Sequence, residues 1–343
     1  MSSVIQRIRE IKQPRGGYIK PSDFEKIEFS DGNELKEENI HSSLVGLVVD
    51  YMTRFVMGTP LKTAFNISLM GSTFVGELGK ANKLLDGING LNKNSIINAC
   101  KLVGYDVCFR AGLTYFKNTD EINPDDNTVN NIIIMVTRSK DFFEKYGPII
   151  KDGFTFEGAY TDIVNSGDGD YLTSDTLWDF KVSAKDPTSE NTLQLLMYYI
   201  MGKKSAQEEF RSINKIGIFN PRLNTVYLKS TNDIPLEVIS EVHDYVIGYK
   251  NKTEHDEDSS ADKIEMPEIM KILNCSRYKV MKYYAEDDLP LMKDNNKYYI
   301  SKDALDLWIK EKKEQEKRDL ILSIITVSII IVALIIFVII IMK

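Results

Sequence analysis

Apolar positions along the chain change their period partway. Between residue 39 and the breakers Gly58 and Pro60, Leu44, Leu47, Val48, Tyr51, Met52 and Phe55 recur at helical spacing, which predicts one amphipathic helix. Residues 61–88 continue the helical pattern with breaks at Gly71 and Gly76. Another amphipathic helix is expected over 94–113, a polar loop over 118–127, and one or two helices over 129–146. The pattern then shortens to that of strands. Residues 154–164 predict a first strand, and the apolar stretches 167–172 and 177–183 flank the turn Thr173-Ser174-Asp175-Thr176, so they read as a β-hairpin. A helix follows over 191–201, opened by Asp186-Pro187 and stopped by Gly202. Strands over 215–219 and 225–228 and a closing helix over 235–249 complete this part.

The flanks read differently. Residues 1–38 are polar and contain Pro14, Gly16, Gly17 and Pro21, which predicts a loosely ordered lead-in. The stretch 250–262 is charged, with Ala261 as its one apolar residue, and reads as a linker. Two short helices are expected over 266–273 and 276–286, separated by Asn274-Cys275. Residues 289–300, with Pro290 and the polar tip 293–297, read as a hairpin wing, and Ser301 opens a third helix ending near Trp308. Residues 320–342 carry no charge and are almost all Ile, Leu and Val. That length predicts a membrane-spanning helix. Lys310, Lys312, Lys313, Lys317 and Arg318 precede it and only Lys343 follows, so the positive-inside rule expects everything before it in the cytoplasm.

Composition narrows the picture only slightly. A chain of 343 residues with 43% hydrophobic and 27% charged residues is ordinary for a globular protein of two or more domains. The net charge of −7 requires any nucleic-acid surface to be local. Cys100, Cys108 and Cys275 are scattered, which fits a reduced compartment and excludes a cluster held by four cysteines. The histidines, His41, His243 and His255, form no ligand pattern, and residues 1–15 hold no apolar run that would predict a signal peptide.

The chemistry concentrates in the hairpin. Leu177, Trp178, Phe180 and Val182 suit a buried strand, whereas Asp179 and Lys181 are costly to bury without partners. Alternation puts Asp179 and Lys181 on one face, with Asp170 of the preceding strand able to lie beside them. Two carboxylates and an ammonium at a strand edge form a place for a divalent cation and an activated water. An Asp–Lys pair on a solvated sheet face accounts for the same spacing. Asp168 and Asp175 are rival carboxylates. On the next helix, Gln194 and Tyr198 share one face.

Gly167-x-x-Asp170, Asp179-x-Lys181 and Gln194-x-x-x-Tyr198 together resemble the PD-(D/E)XK nuclease superfamily in its RecB-like branch. The likeness covers about residues 155–230. It implies an α/β fold, a mixed sheet flanked by helices, with residues 39–150 as a helical part contributing to the nuclease domain and 151–249 as the core. By this resemblance Asp170, Asp179 and the backbone carbonyl of Phe180 hold Mg2+ or Mn2+, Lys181 orients and activates the attacking water, and Gln194 and Tyr198 position the nucleic-acid strand. The proline that names the family is missing, since Gly169 precedes Asp170. Gly46-x-x-x-Asp50 resembles the family's Gly-x-x-x-His element, with Asp50 at the histidine position. There it is either a third ligand or a polar residue on a helix flank. Glu77 is a further acidic candidate.

Residues 263–310 resemble the winged helix-turn-helix of the excisionase, or MerR-like, group. That likeness implies that Ser276, Arg277, Lys279 and Lys282 on the second helix contact DNA. A three-helix unit that docks another protein fits the same near-neutral segment. The expectation for the whole chain is a membrane-anchored, metal-dependent nuclease acting on DNA, and less readily on RNA. Its rival from another class is a catalytically silent membrane-bound DNA tether or regulator.

Overall fold

The computed structural model describes residues 2–249 and 263–318, apart from 287–288, 295–296, 303 and 316. The chain divides into two compact units after Gly248.

The first unit is α/β. Its sheet has six strands: β1 (Glu25–Glu28), β2 (Lys151–Phe154), β3 (Gly169–Leu172), β4 (Thr176–Phe180), β5 (Lys215–Asn220) and β6 (Thr225–Ser230). They lie in the order β1-β6-β5-β4-β3-β2, antiparallel except for the parallel pair β4/β5. A parallel pair needs a crossover, and the helix Ser189–Lys204 provides it. With the helices that matter here labelled α1 (Val4–Glu10), α2 (Ser42–Val56) and α3 (Asp126–Tyr146), this crossover is α4. It is buried from Thr192 to Gly202. A helix covered all round carries no amphipathic stripe, which is why its pattern is so uniformly apolar.

Two hydrophobic cores bear on the site. In one, Phe142 and Phe143 of α3 pack against Tyr171, Trp178, Phe180 and Phe219, with the Phe142 and Phe219 rings stacked 4.3 Å apart. The other core belongs to the helical part. Val45, Val48, Val49 and Met52 of α2 meet Phe65, Ile96, Leu102 and Ile132. The expected helix over 61–88 consists of Leu61–Ala64, Asn66–Phe74 and Leu78–Asp86. The break falls at Gly76, whose φ is +70°. Gly71 lies inside a helix, not at a break. Residues 94–113 divide into Lys93–Val103 and Asp106–Arg110. The closing segment divides into Leu236–Glu241 and a wider turn, Val242–Ile247.

Several expectations are corrected. Residues 1–38 are no loose lead-in. They supply α1 and the edge strand β1, and Arg138 of α3 forks Asp31 at 2.7 and 2.9 Å while also donating to the carbonyl of Asn33. The first strand of the core is Lys151–Phe154, not 154–164; Val164–Ser166 pairs instead with Ser2–Ser3. Asp186 does not cap α4. Thr188 and Asn191 form its capping box, and Asp186 accepts from Tyr227.

The second unit holds α5 (Met266–Ile272), α6 (Arg277–Glu286) and strands β7 (Lys263–Glu265), β8 (Met292–Asp294) and β9 (Lys297–Ser301), in the order β8-β9-β7. Two helices thus accompany a three-stranded antiparallel sheet. Val280 and Ile300 are fully buried in this unit. Residues 320–342 lie outside the described residues, and no described helix is long and apolar enough to cross a membrane.

Candidate functional site

The end of β4 and the neighbouring end of β3 gather the charged residues that the sequence singled out. The pairing of Tyr171 with Trp178 sets the register. It turns those two rings toward α3 and leaves Asp170 and Asp179 on the opposite face. Asp179 is 1% exposed, on an interior strand, so neither a strand edge nor a solvated sheet face describes its surroundings. Lys181 follows the last residue of β4 and donates from its backbone N–H to the carbonyl of Phe219 at 3.0 Å. Its Nζ donates to Asp179 Oδ1 at 3.1 Å and lies 2.9 Å from Oδ2. The second contact is misaligned, and Asp179 Oδ2 is buried with no hydrogen bond. Asp170 Oδ2 accepts the backbone N–H of Phe180 at 2.8 Å. The amide of Phe180, not its carbonyl, is what ties that residue to the site.

Asp50 reaches the same place from α2. Both of its oxygens are taken by Arg54, four residues on, at 2.9 and 3.0 Å, and Tyr171 Oη donates to Asp50 Oδ1 at 3.0 Å. Asp50 is therefore neither a free flank residue nor an open ligand, but the seat of a buried guanidinium. Arg54 Nη2 lies 3.9 Å from Asp170 Oδ1, and the guanidinium sits 5.4 Å from the centre of the Tyr171 ring. Gly153 of β2 makes room for it. Its φ is +55°, and a Cβ there would stand 2.1 Å from Arg54 Nη1. Arg54 was missed in the sequence, although its i,i+4 spacing from Asp50 is a readable signal.

Burial and like charge govern the titration of this group. Burial, followed by the charges of Asp179 and Asp50, raises the Asp170 carboxyl to about 7, against the opposing pull of Lys181 and Arg54. Burial also raises Asp179, opposed by Lys181. For Lys181, burial works against the charge, but Asp179 and Asp170 outweigh it and the ammonium is held above its ordinary value. Three carboxylates thus face two cations, Lys181 and Arg54, and the pocket is short of positive charge.

Gln194 and Tyr198 of α4 are buried and joined, Gln194 Nε2 donating to Tyr198 Oη at 3.0 Å. Burial and the charges of Asp179, Asp170 and Asp168 push the Tyr198 phenol well up, which puts it within electrostatic reach of the carboxylates. Gly167 has a packing reason. A Cβ there would stand 2.9 Å from Val4 Cγ2 and 3.2 Å from Tyr198 Cε1. Of the rival acids, Asp168 is exposed. Asp175 lies at the far end of β4, paired with Lys215 at 2.9 Å. Glu77 accepts from Tyr105 in the helical part.

Among the described residues no three His, Cys, Asp or Glu side chains converge as a metal-holding group. The pair Asp170 and Asp179 nevertheless fits a hard divalent ion. The oxygens are carboxylate, one is buried without a hydrogen bond, and magnesium commonly binds through one or two carboxylates while keeping several waters. In the second unit, Ser276, Arg277 and Lys279 are exposed and Lys282 half-buried along α6. Ser276 Oγ accepts the backbone N–H of Lys279 at 3.4 Å.

Comparison with family models, with curated proteins and with solved structures returns no match.

Proposed function

We propose that this chain is a divalent-metal-dependent nuclease of PD-(D/E)XK type that hydrolyses phosphodiester bonds of DNA. The observation that carries the reading is Asp179 Oδ2, a buried carboxylate oxygen without a hydrogen bond, on a carboxylate whose charge bears on Asp170 in a site where acids outnumber cations. Buried polar atoms are rarely left in this state unless something else completes them. Asp170 and Asp179 hold the ion, magnesium or manganese, which when bound polarises the phosphate and lowers the pKa of its water.

The chain's own residues do the rest. Lys181, kept protonated by the two carboxylates, serves as a cationic donor that orients the attacking water and stabilises charge on the phosphate. Arg54 holds Asp50 and turns toward Asp170, fixing the first carboxylate from behind. Gln194 and Tyr198 position the strand from α4. On this reading the second unit captures duplex through the exposed side of α6, where Arg277 and Lys279 stand with no acid in the first turn. The apolar run 320–342 anchors the protein at the cytoplasmic face of a membrane.

Incubation of the full chain, in detergent micelles, with single- and double-stranded DNA and RNA decides the matter. The expected outcome is DNA cleavage with magnesium or manganese and none with chelator. Absence of cleavage on every substrate leaves a binding tether instead.

A further inference from the structure

The helical part exposes aromatic rings that its own packing does not use. Phe74, Phe109, Leu113 and Tyr115 are 55%, 42%, 55% and 67% exposed. The rings of Phe74 and Phe109 stack on each other, 6.3 Å apart at 28°, although they come from different helices. Exposed rings gathered in this way mark a contact surface.

Charge and position say which contact. Residues 66–76 carry no charged side chain, and residues 107–118 carry Arg110 and Lys117 but no acid, in a chain whose net charge is −7. Arg110 is held in place. Its Nη2 donates to Tyr51 Oη at 3.3 Å, and its Nε lies 3.6 Å from the buried carboxylate of Asp106. Tyr51 is the neighbour of Asp50 on α2, and Arg110 is within electrostatic reach of Asp168, two residues before Asp170. Arg110 therefore follows Phe109 on the aromatic face as a cation held in place by Tyr51 and Asp106. Stacking rings beside cations match a strand with unpaired bases. The π-faces of its bases meet aromatics, and its phosphates meet Arg110 and Lys117. A duplex hides those π-faces.

Resting on the nuclease reading, we propose that residues 66–76 and 107–117 form a platform for single-stranded nucleic acid, on which bases stack against Phe74, Phe109 and Tyr115 while Arg110 and Lys117 hold the phosphates.

The test is anisotropy of dye-labelled strands with the full chain in detergent micelles under chelator, so that binding is read without cleavage. An oligothymidine strand and an abasic strand of equal length carry the same phosphates and differ in bases. Wild type is expected to prefer the thymidine strand by about tenfold or more, the scale of one stacked base. The triple variant Phe74→Ala/Phe109→Ala/Tyr115→Ala should lose that preference, and Arg110→Ala should weaken both strands alike. A triple variant that keeps the preference overturns the platform. So does one that binds like wild type but sediments as a smaller species, which would make the face a contact between copies. Replacing chelator with magnesium separates the two ideas. Strands bound through the platform but never cut sink the nuclease reading and leave the platform standing. Cutting by a triple variant of unchanged binding does the reverse.

Discussion

Asp106 and Asp179 are both 1% exposed, in one unit of one chain, and their surroundings differ in kind. Asp106 is surrounded by neutral donors. Tyr51 Oη donates to one oxygen at 2.6 Å and Ser68 Oγ to the other, with Arg110 nearby. Asp179 has a single ammonium, an oxygen without a hydrogen bond and other carboxylates in electrostatic reach. Burial raises both carboxyls. What separates them is what faces the charge. A carboxylate with a donor on each oxygen is a brace between helices. One left incomplete among its own kind is a place for a cation. Neighbouring residues of α2, Tyr51 and Asp50, each serve one of the two arrangements.

The contrast is open to breakage at several points, the largest first. Asp179→Ala and Lys181→Ala are expected to reduce cleavage by roughly a thousandfold, about 4 kcal/mol of transition-state stabilisation, with the chain still folded by circular dichroism. Wild-type cleavage in both variants would place the chemistry elsewhere. Asp106→Ala should do the opposite. It strands two hydroxyls and a guanidinium and should cost about 2–4 kcal/mol in urea unfolding, while cleavage per folded molecule stays near wild type. Lost cleavage at unchanged stability would make Asp106 part of the site and erase the distinction.

The pH dependence sharpens the comparison further. With Asp170 raised to about 7 from an ordinary 3.8, the folded state holds that proton more tightly than the unfolded chain. Metal-free protein therefore loses stability as pH rises from about 4 to about 7, and the loss is complete above that. Asp170→Asn removes the effect. Its unfolding free energy should match wild type near pH 4 and exceed it at pH 8, by on the order of 1 kcal/mol. Magnesium should stabilise wild type increasingly as pH rises through about 7 and leave Asp170→Asn unmoved. A gap that stays flat with pH would mean the carboxyl is ionised throughout. The smallest effect belongs to Tyr51→Phe, which deletes the hydrogen bond to Asp106 and the longer one accepted from Arg110, and should lower stability by about 1 kcal/mol without touching magnesium binding. A change in metal affinity there would join the two networks into one.

Much of the core was legible in the chain because local pattern and burial agree there. The strands 215–219 and 225–228 differ from the observed ones by a residue or two at one end, since β-branched and aromatic runs between turn residues admit few alternatives. The companionship of Asp170, Asp179 and Lys181 was legible for a covalent reason: two-residue alternation and one hairpin register bring them together. The lead-in was misread because its determinants are distant. Arg138, Pro221 and Arg222 lie a hundred residues and more from Asp31 and Asn33, and polar residues with glycines and prolines look the same whether or not such partners exist.

The sequence by itself determined the chemistry available here: hard carboxylate oxygens, an ammonium two residues from one of them, and a glutamine and tyrosine on one helical face. Only the tertiary structure decided their state. Asp179 sits on an interior strand under α4 and not on a wetted face, because β5 pairs with β4 on the side that a lone hairpin would leave open. Asp50 is consumed by Arg54, because Gly153 on another strand leaves space for the guanidinium. Whether a carboxylate braces or binds depends on how many donors surround it, and those donors come from elements far apart in the chain, beyond the reach of any local pattern.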